Sequence, residues 1–209
     1  MIESTRVVVV RGDVTAEFEG RVRDSEIVAW DIETSGLDWQ SDRIATCQLH
    51  VPGVGTEIVQ INGAMPERLR GILESELVTK VFHHAAFDLR FMRYHWNVRP
   101  RSIACTKILS KIVHPERRPK EHSLKPLVWE YLAVELDKSE QVSDWLAEEL
   151  TPDQLRYAAR DVEFLVPLLD RLMSEARSLG VADMAEATFA YLPTRIETDL
   201  RHCGDVFAY

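Results

Sequence analysis

Ile27-Val28-Ala29-Trp30-Asp31-Ile32-Glu33-Thr34-Ser35-Gly36-Leu37 begins apolar, turns acidic and ends in turn-forming residues. Residues 27–33 read as a β-strand, and Thr34-Ser35-Gly36-Leu37 leave it. Strand alternation places Asp31 and Glu33 on one face and Ile32 on the other. Two like charges side by side on an apolar strand repel, and taking them out of water is costly. A divalent cation between them removes both costs, because hard ions such as Mg²⁺ take oxygen ligands while keeping waters for a substrate. Taken alone, the fragment also reads as a strand end with its acids in solvent.

Working outward, residues 7–10 (Val-Val-Val-Val) form a first strand, and Arg11-Gly12-Asp13 turn the chain. Residues 44–51 and 57–61 alternate as strands, with Pro52-Gly53-Val54-Gly55 as a hairpin connection. This succession predicts an antiparallel start to a mixed sheet. Helical periodicity then takes over. Pro66 opens a helix over 66–74, residues 80–83 are a short buried strand, and 85–96 and 106–113 are helices. A charged loop with two prolines, 114–121, precedes a helix over 123–132. The longest helix opens at Thr151-Pro152-Asp153, an N-cap followed by proline, and runs to about residue 178, with a kink or break at Pro167. The expectation is an α/β fold with a mixed five-stranded sheet flanked by helices. No Gly/Ser linker, repeat or low-complexity tract divides the chain, so residues 1–209 read as one domain. Residues 182–209 form a C-terminal extension packed on it or on a neighbouring subunit.

The chain has 209 residues, 45% hydrophobic and 28% charged, a balance that excludes disordered, collagen-like and disulfide-scaffold classes. Cys47, Cys105 and Cys203 lack zinc spacing and read as three reduced thiols of a cytoplasmic protein. No apolar run is long enough to span a bilayer, and no leader with a long apolar stretch is visible at the start. With 25 Lys plus Arg against 34 Asp plus Glu, the net charge is −9. That argues against coating long nucleic acid by charge alone. It leaves open an acidic site that holds cations and takes a short anionic substrate, since bound ions invert the local charge logic.

Two further acidic features stand out. Asp88 lies one turn into the helix that follows the 80–83 strand, where an acid also serves as a helix-dipole partner. Tyr157-Ala158-Ala159-Arg160-Asp161 puts a tyrosine and an aspartate at i and i+4 on one helix face. Small Ala158 and Ala159 let that helix approach another element closely. By itself the pair also reads as a surface Tyr–Asp hydrogen bond.

Asp-x-Glu on a strand, Asp at a helix start and Tyr-x-x-x-Asp on a later helix, in that order, resemble the DEDD 3′→5′ exonucleases in their tyrosine (DEDDy) subgroup. The match is at Asp31, Glu33, Asp88, Tyr157 and Asp161. Residues 136–145, with Leu150 and Tyr157-Ala158-Ala159, resemble ribonuclease D-like enzymes. Phe82-His83 before Ala86-Phe87-Asp88, together with Leu192-Pro193-Thr194-Arg195 and Asp205-Val206-Phe207-Ala208 near the end, look most like the nanoRNase C branch, which acts on very short RNA. The resemblance implies a ribonuclease H-like fold and metal-dependent phosphodiester hydrolysis from a 3′ end, releasing nucleoside 5′-monophosphates. It implies two divalent cations, Mg²⁺ or Mn²⁺, held by Asp31, Glu33, Asp88 and Asp161, with Asp31 bridging both and Tyr157 orienting the attacking water. Its partners would be short single-stranded RNA, dinucleotides and oligoribonucleotides, with no membrane, in a ring-like homo-oligomer.

Substrate contacts are expected around these positions. Backbone groups of Thr34 to Gly36 meet the terminal 3′-OH, and Leu37 wedges between the last two bases or caps the core. His83 or His84 touches phosphate or sugar. Lys138 binds phosphate, and Gln141 and Ser143 contact the scissile strand. Trp145 is a base-stacking platform or a core anchor. Arg117, Arg118 and Lys120 meet the 5′ side of the RNA or form a solvated loop. Two other functions fit less well: a ribonuclease D-like trimming enzyme for longer RNA and DNA, and a catalytically dead nucleic-acid-binding module.

Overall fold

The apolar-then-acidic stretch is strand β2 (Ile27–Thr34), and the remaining elements are arranged around it. The computed structural model describes residues 6–136 and 143–208. Strands β1 (Val7–Arg11), β3 (Ile44–Val51), β4 (Gly55–Gln60), β5 (Thr79–Phe82) and β6 (Ile103–Cys105) join β2 in one sheet of order β1-β4-β3-β2-β5-β6. The β2–β3 and β3–β4 pairs are antiparallel, whereas β1–β4, β2–β5 and β5–β6 are parallel. The mixed sheet with an antiparallel start is as expected, but it has six strands rather than five. β6 is only three residues long, too short to display alternation, and becomes a strand only by pairing with β5.

The helices are α1 (Ala16–Ser25), α2 (Glu67–Glu74), α3 (Ala85–Trp96), α4 (Thr106–Val113), α5 (Leu124–Leu132), α6 (Pro152–Glu163), α7 (Leu165–Ser178) and α8 (Ala182–Leu200). The sequence reading did not foresee α1. Gly20 weakens it and only Phe18 and Val22 are buried, so its apolar stripe is thin. Its N-cap, Thr15, is held by a distant residue: the backbone N–H and Oγ1 of Thr15 both donate to the Glu57 carboxylate, at 2.9 and 2.7 Å. The break expected at Pro167 falls at Phe164, between α6 and α7. Proline at 167 has no N–H for the Glu163 carbonyl, and its ring crowds that same carbonyl.

The core lies on both faces of the sheet. Trp30 stacks on Phe82 at 6.1 Å, and Leu49, Val81, Leu89, Phe91, Leu109 and Leu172 are fully buried. α7 packs on α4, α5 and β5, while α8 packs on α3 and β6. Cys47 and Cys105 are buried and Cys203 is exposed, all three as free thiols. Among the described residues no helix is long and apolar enough to cross a membrane.

Candidate active site

Three elements deliver the acids. On β2, Asp31 pairs across to Gln48 and Glu33 to Thr46, and the register slips between Glu33 and Thr34. Such a bulge twists a strand end and re-aims its side chains. α3 begins directly after β5, with Asp88 in its first turn and only 2% exposed. α6 starts with a reciprocal capping box: the Gln154 N–H donates to Thr151 Oγ1 at 3.2 Å, and the Thr151 N–H donates to Gln154 Oε1 at 2.9 Å. The Gln154 amide also donates to the carbonyl of Asp144 at 3.0 Å, pinning the incoming chain. Buried Ala158 and Ala159 let α6 lie close against β2, β3 and β4, and Tyr157 and Asp161 share its face.

Asp31, Glu33 and Asp161 each offer a carboxylate oxygen within 4.8 Å of the others. Asp88 falls outside that triad but adjoins it, because its charge acts on both Asp31 and Glu33. Burial first, then repulsion from Asp88, Glu33 and Asp161, pushes the Asp31 carboxyl well above the usual range. Burial followed by Asp161 and Asp88 pushes Glu33 up to about 9. Burial raises Asp88 to about 7, against the pull of the backbone N–H groups of Asp88 and Ile32. Oδ1 of Asp88 is buried and accepts no hydrogen bond. Crowded, desolvated carboxylates with an unsatisfied buried oxygen and, among the described residues, no basic side chain between them fit a hard divalent cation. Tyr157 hydrogen-bonds Asp161, and burial with the charges of Asp161 and Glu33 holds its phenol well above the ordinary range.

The other anticipated residues divide. Thr34 Oγ1 donates to the carbonyl of Gly36 at 2.5 Å. A Cβ on Gly36 would lie 2.4 Å from the Asp42 carboxylate, so the turn leaving β2 is built around a glycine. Leu37 is 84% exposed at the tip of this loop, which removes the reading of it as a cap on the core. His83 Nδ1 pairs with Thr106 Oγ1 at 2.8 Å. His84 sits at the N-terminus of α3, where desolvation and then Lys107, Arg90 and Lys111 push its imidazole down to about 4. Ser143 is half-buried. Trp145 is a correction: at 4% exposure it has no face for a base, and it packs with Ala45, Ile58 and Ala158 beneath Tyr157, 6.0 Å ring to ring. Arg117 forms a two-pronged bond to Glu130 on α5 and Arg118 bonds Glu121, so both guanidinium groups are engaged by nearby carboxylates. Lys138 and Gln141 lie outside the described residues.

The sequence reading missed Thr46 and Gln48, which lie directly across from Glu33 and Asp31 and are fully buried. The Gln48 amide donates to Thr46 Oγ1 at 3.0 Å, and its Oε1 accepts nothing. Their signal was available, because Thr46, Gln48 and His50 are polar at alternate positions of a strand buried along its whole length.

Residues 9–177 match the 3′-5′ exonuclease family. Ribonuclease D of Escherichia coli is 37% identical over 112 residues, covering 54% of this chain but only 29% of the relative, so the chain spans under a third of that protein's length. The solved structure of Brucella melitensis NrnC bound to pGG superposes with a TM-score of 0.89 at 33% identity, covering 99% of this chain and 100% of the other. NrnC with bound Mg²⁺ from the same organism superposes with a TM-score of 0.87 at 32% identity, over 97% and 98% of the two chains. An acidic cluster on a mixed sheet, the family match and likeness along nearly the full length of NrnC lead to one assignment: the chain belongs to the 3′-5′ exonuclease family, in its ribonuclease D-like branch close to NrnC.

Proposed function

We propose that the chain is a divalent-metal-dependent 3′→5′ exoribonuclease that hydrolyses short oligoribonucleotides, dinucleotides above all, to nucleoside 5′-monophosphates. The observation that carries this reading is the convergence of Asp31, Glu33 and Asp161 oxygens within 4.8 Å of one another. Asp88 is buried beside them. Those four carboxylates would hold two cations, Mg²⁺ or Mn²⁺. Such ions, when bound, lower the pKa of a water and offset charge on the leaving 3′ oxygen.

The protein's own side chains do the rest. In the metal-free protein, burial and then the charges of Asp161 and Glu33 oppose ionisation of the Tyr157 phenol. Its assigned part is to position the attacking water through its hydroxyl rather than to take the proton. The backbone from Thr34 to Gly36 receives the terminal ribose, and the exposed Leu37 inserts between the last two bases. His84, neutral at physiological pH, offers a hydrogen bond to sugar or phosphate beside Lys107 and Lys111. The relative solved with pGG supports a short substrate, as does a net charge of −9, which disfavours a long electrostatic track. A ring of identical subunits with inward-facing sites would reinforce that preference, and sedimentation velocity tests for it.

The deciding experiment is a length series of 5′-labelled RNA with Mg²⁺ and with chelator. Two-residue RNA is expected to be hydrolysed much faster than seven-residue RNA, and chelator should stop both. Equal rates would replace this reading with a general trimming enzyme. No hydrolysis of any length with Mg²⁺, or with Mn²⁺ in its place, would leave only a binding module.

A further inference from the structure

We propose that His202, in the turn that ends α8, is a positioning residue for the substrate loop: it clasps Trp39 and Gln40 and so steadies the loop that carries Leu37. The inference rests on the exoribonuclease reading above and assigns a role to the C-terminal segment, which that reading leaves unused.

The loop between β2 and β3 is braced from within. The Asp42 carboxylate accepts from Ser35 Oγ at 3.1 Å and from the Asp38 N–H at 2.9 Å. Asp38 accepts from the Gln40 N–H and Ser41 Oγ at 3.0 and 2.9 Å. These bonds fix the loop's shape but not its placement on the protein. Placement comes from outside contacts. His95 Nε2 meets the carbonyl of Asp42 at 2.9 Å, and Trp39 meets the edge of Tyr94 at 5.1 Å. The Trp39 ring also stacks on His202, 5.9 Å between centroids and 26° from parallel. The Gln40 amide pairs with His202 Nε2 at 3.3 Å. Beside the clasp lies an open hollow of about 420 Å³ bordered by Trp39, Gln40, Arg90, Asp199, His202 and Gly204. Trp39 also rests against the edge of the core, and on the side of the hollow His202 is the residue that holds both Trp39 and Gln40.

The clasp has a fixed base. Glu197 accepts from Arg93 at 2.5 Å, and Asp199 lies 3.8 Å from Arg90, so the last turn of α8 is tied to α3, the helix that carries Asp88. The chain then reverses sharply, with His202 at φ 56° and its N–H donating to the Asp199 carbonyl at 3.0 Å. One helix thus carries a catalytic acid and anchors the segment that steadies the base-wedging loop.

The test compares wild type, His202→Ala and His202→Phe, the last keeping a ring against Trp39. In His202→Ala, amide exchange at Gln40, Asp42 and Arg43 should quicken at least about fivefold, with Ala29 and Ile32 of β2 unchanged. KM for a dinucleotide should rise about threefold to tenfold, in proportion to one lost aromatic contact, with kcat within twofold and the Mg²⁺ requirement unaltered. His202→Phe should recover most of both readouts, since it restores the ring against Trp39 and lacks only the nitrogen that meets the Gln40 amide. Wild-type exchange or wild-type KM in His202→Ala would overturn the proposal, as would a fall in kcat at constant KM. If the wild-type protein cleaves no RNA, the exoribonuclease reading fails by itself, while loop exchange still decides whether the clasp exists.

Discussion

Replacing Glu33 with glutamine should stabilise the metal-free protein while destroying its activity. The Glu33 carboxyl is raised from an ordinary 4.5 to about 9 by burial and by Asp161 and Asp88. Between those values the folded state holds a proton that the unfolded state has released, so stability falls as pH rises through that window. At pH 7.5, about three pH units above the unfolded value, the penalty is at most ~4 kcal/mol, at ~1.36 kcal/mol per unit. Partial exposure of Glu33 and its sharing of the charge with its neighbours reduce this to about 2 kcal/mol. Glutamine keeps the shape and cannot ionise. In EDTA at pH 7.5, Glu33→Gln should therefore melt about 4–8 °C above wild type, at ~2–4 °C per kcal/mol for a chain of this size. At pH 4.5 and below the gain should shrink towards zero, because Glu33 is then increasingly protonated in both states. Added Mg²⁺ should stabilise wild type and leave the variant nearly unmoved. Urea titrations at both pH values, with and without metal, check this. A variant no more stable than wild type at pH 7.5 in EDTA, or equally stabilised at both pH values, would refute the account of the site as a strained anionic cage.

Asp161→Ala should lose at least about a thousandfold in RNA hydrolysis while keeping its circular-dichroism spectrum; retention of wild-type turnover would remove Asp161 from the site. Tyr157→Phe should lower kcat by roughly tenfold to a thousandfold and leave the Mg²⁺ dependence of melting unchanged, and an unaltered kcat would take the hydroxyl out of the reaction. Trp145→Ala should cost about 3–4 kcal/mol in urea unfolding and also depress activity, since the cavity opens beneath Tyr157; a loss of activity at unchanged stability would point instead to a direct contact with RNA.

The acid pattern was legible because its spacing obeys local geometry. Asp31 and Glu33 must share a strand face whatever surrounds them, and Tyr157 and Asp161 must share a helix face. β1 to β5 and α2 to α7 were likewise marked by alternation, helical stripes, caps and prolines. α1 escaped because its N-cap is secured by Glu57, forty-two residues away, and β6 because three residues make a strand only beside β5. Trp145 illustrates the limit for side chains: an aromatic in a polar segment suits a stacking platform or a core anchor equally, and only its burial under Tyr157 separates them.

By itself the sequence determined most of the elements, their order and the chemical character of the site, since short-range sterics and periodicity act within a few residues. Only the tertiary structure decided that Asp161 on α6 meets Asp31 and Glu33 on β2, that Asp88 is buried beside them without a donor for Oδ1, and that the end of α8 reaches the loop carrying Leu37. Those are distances between elements far apart in the chain. They are set by how small residues such as Ala158 let a helix approach a sheet and by which ion pairs anchor a helix end, and no local pattern encodes them.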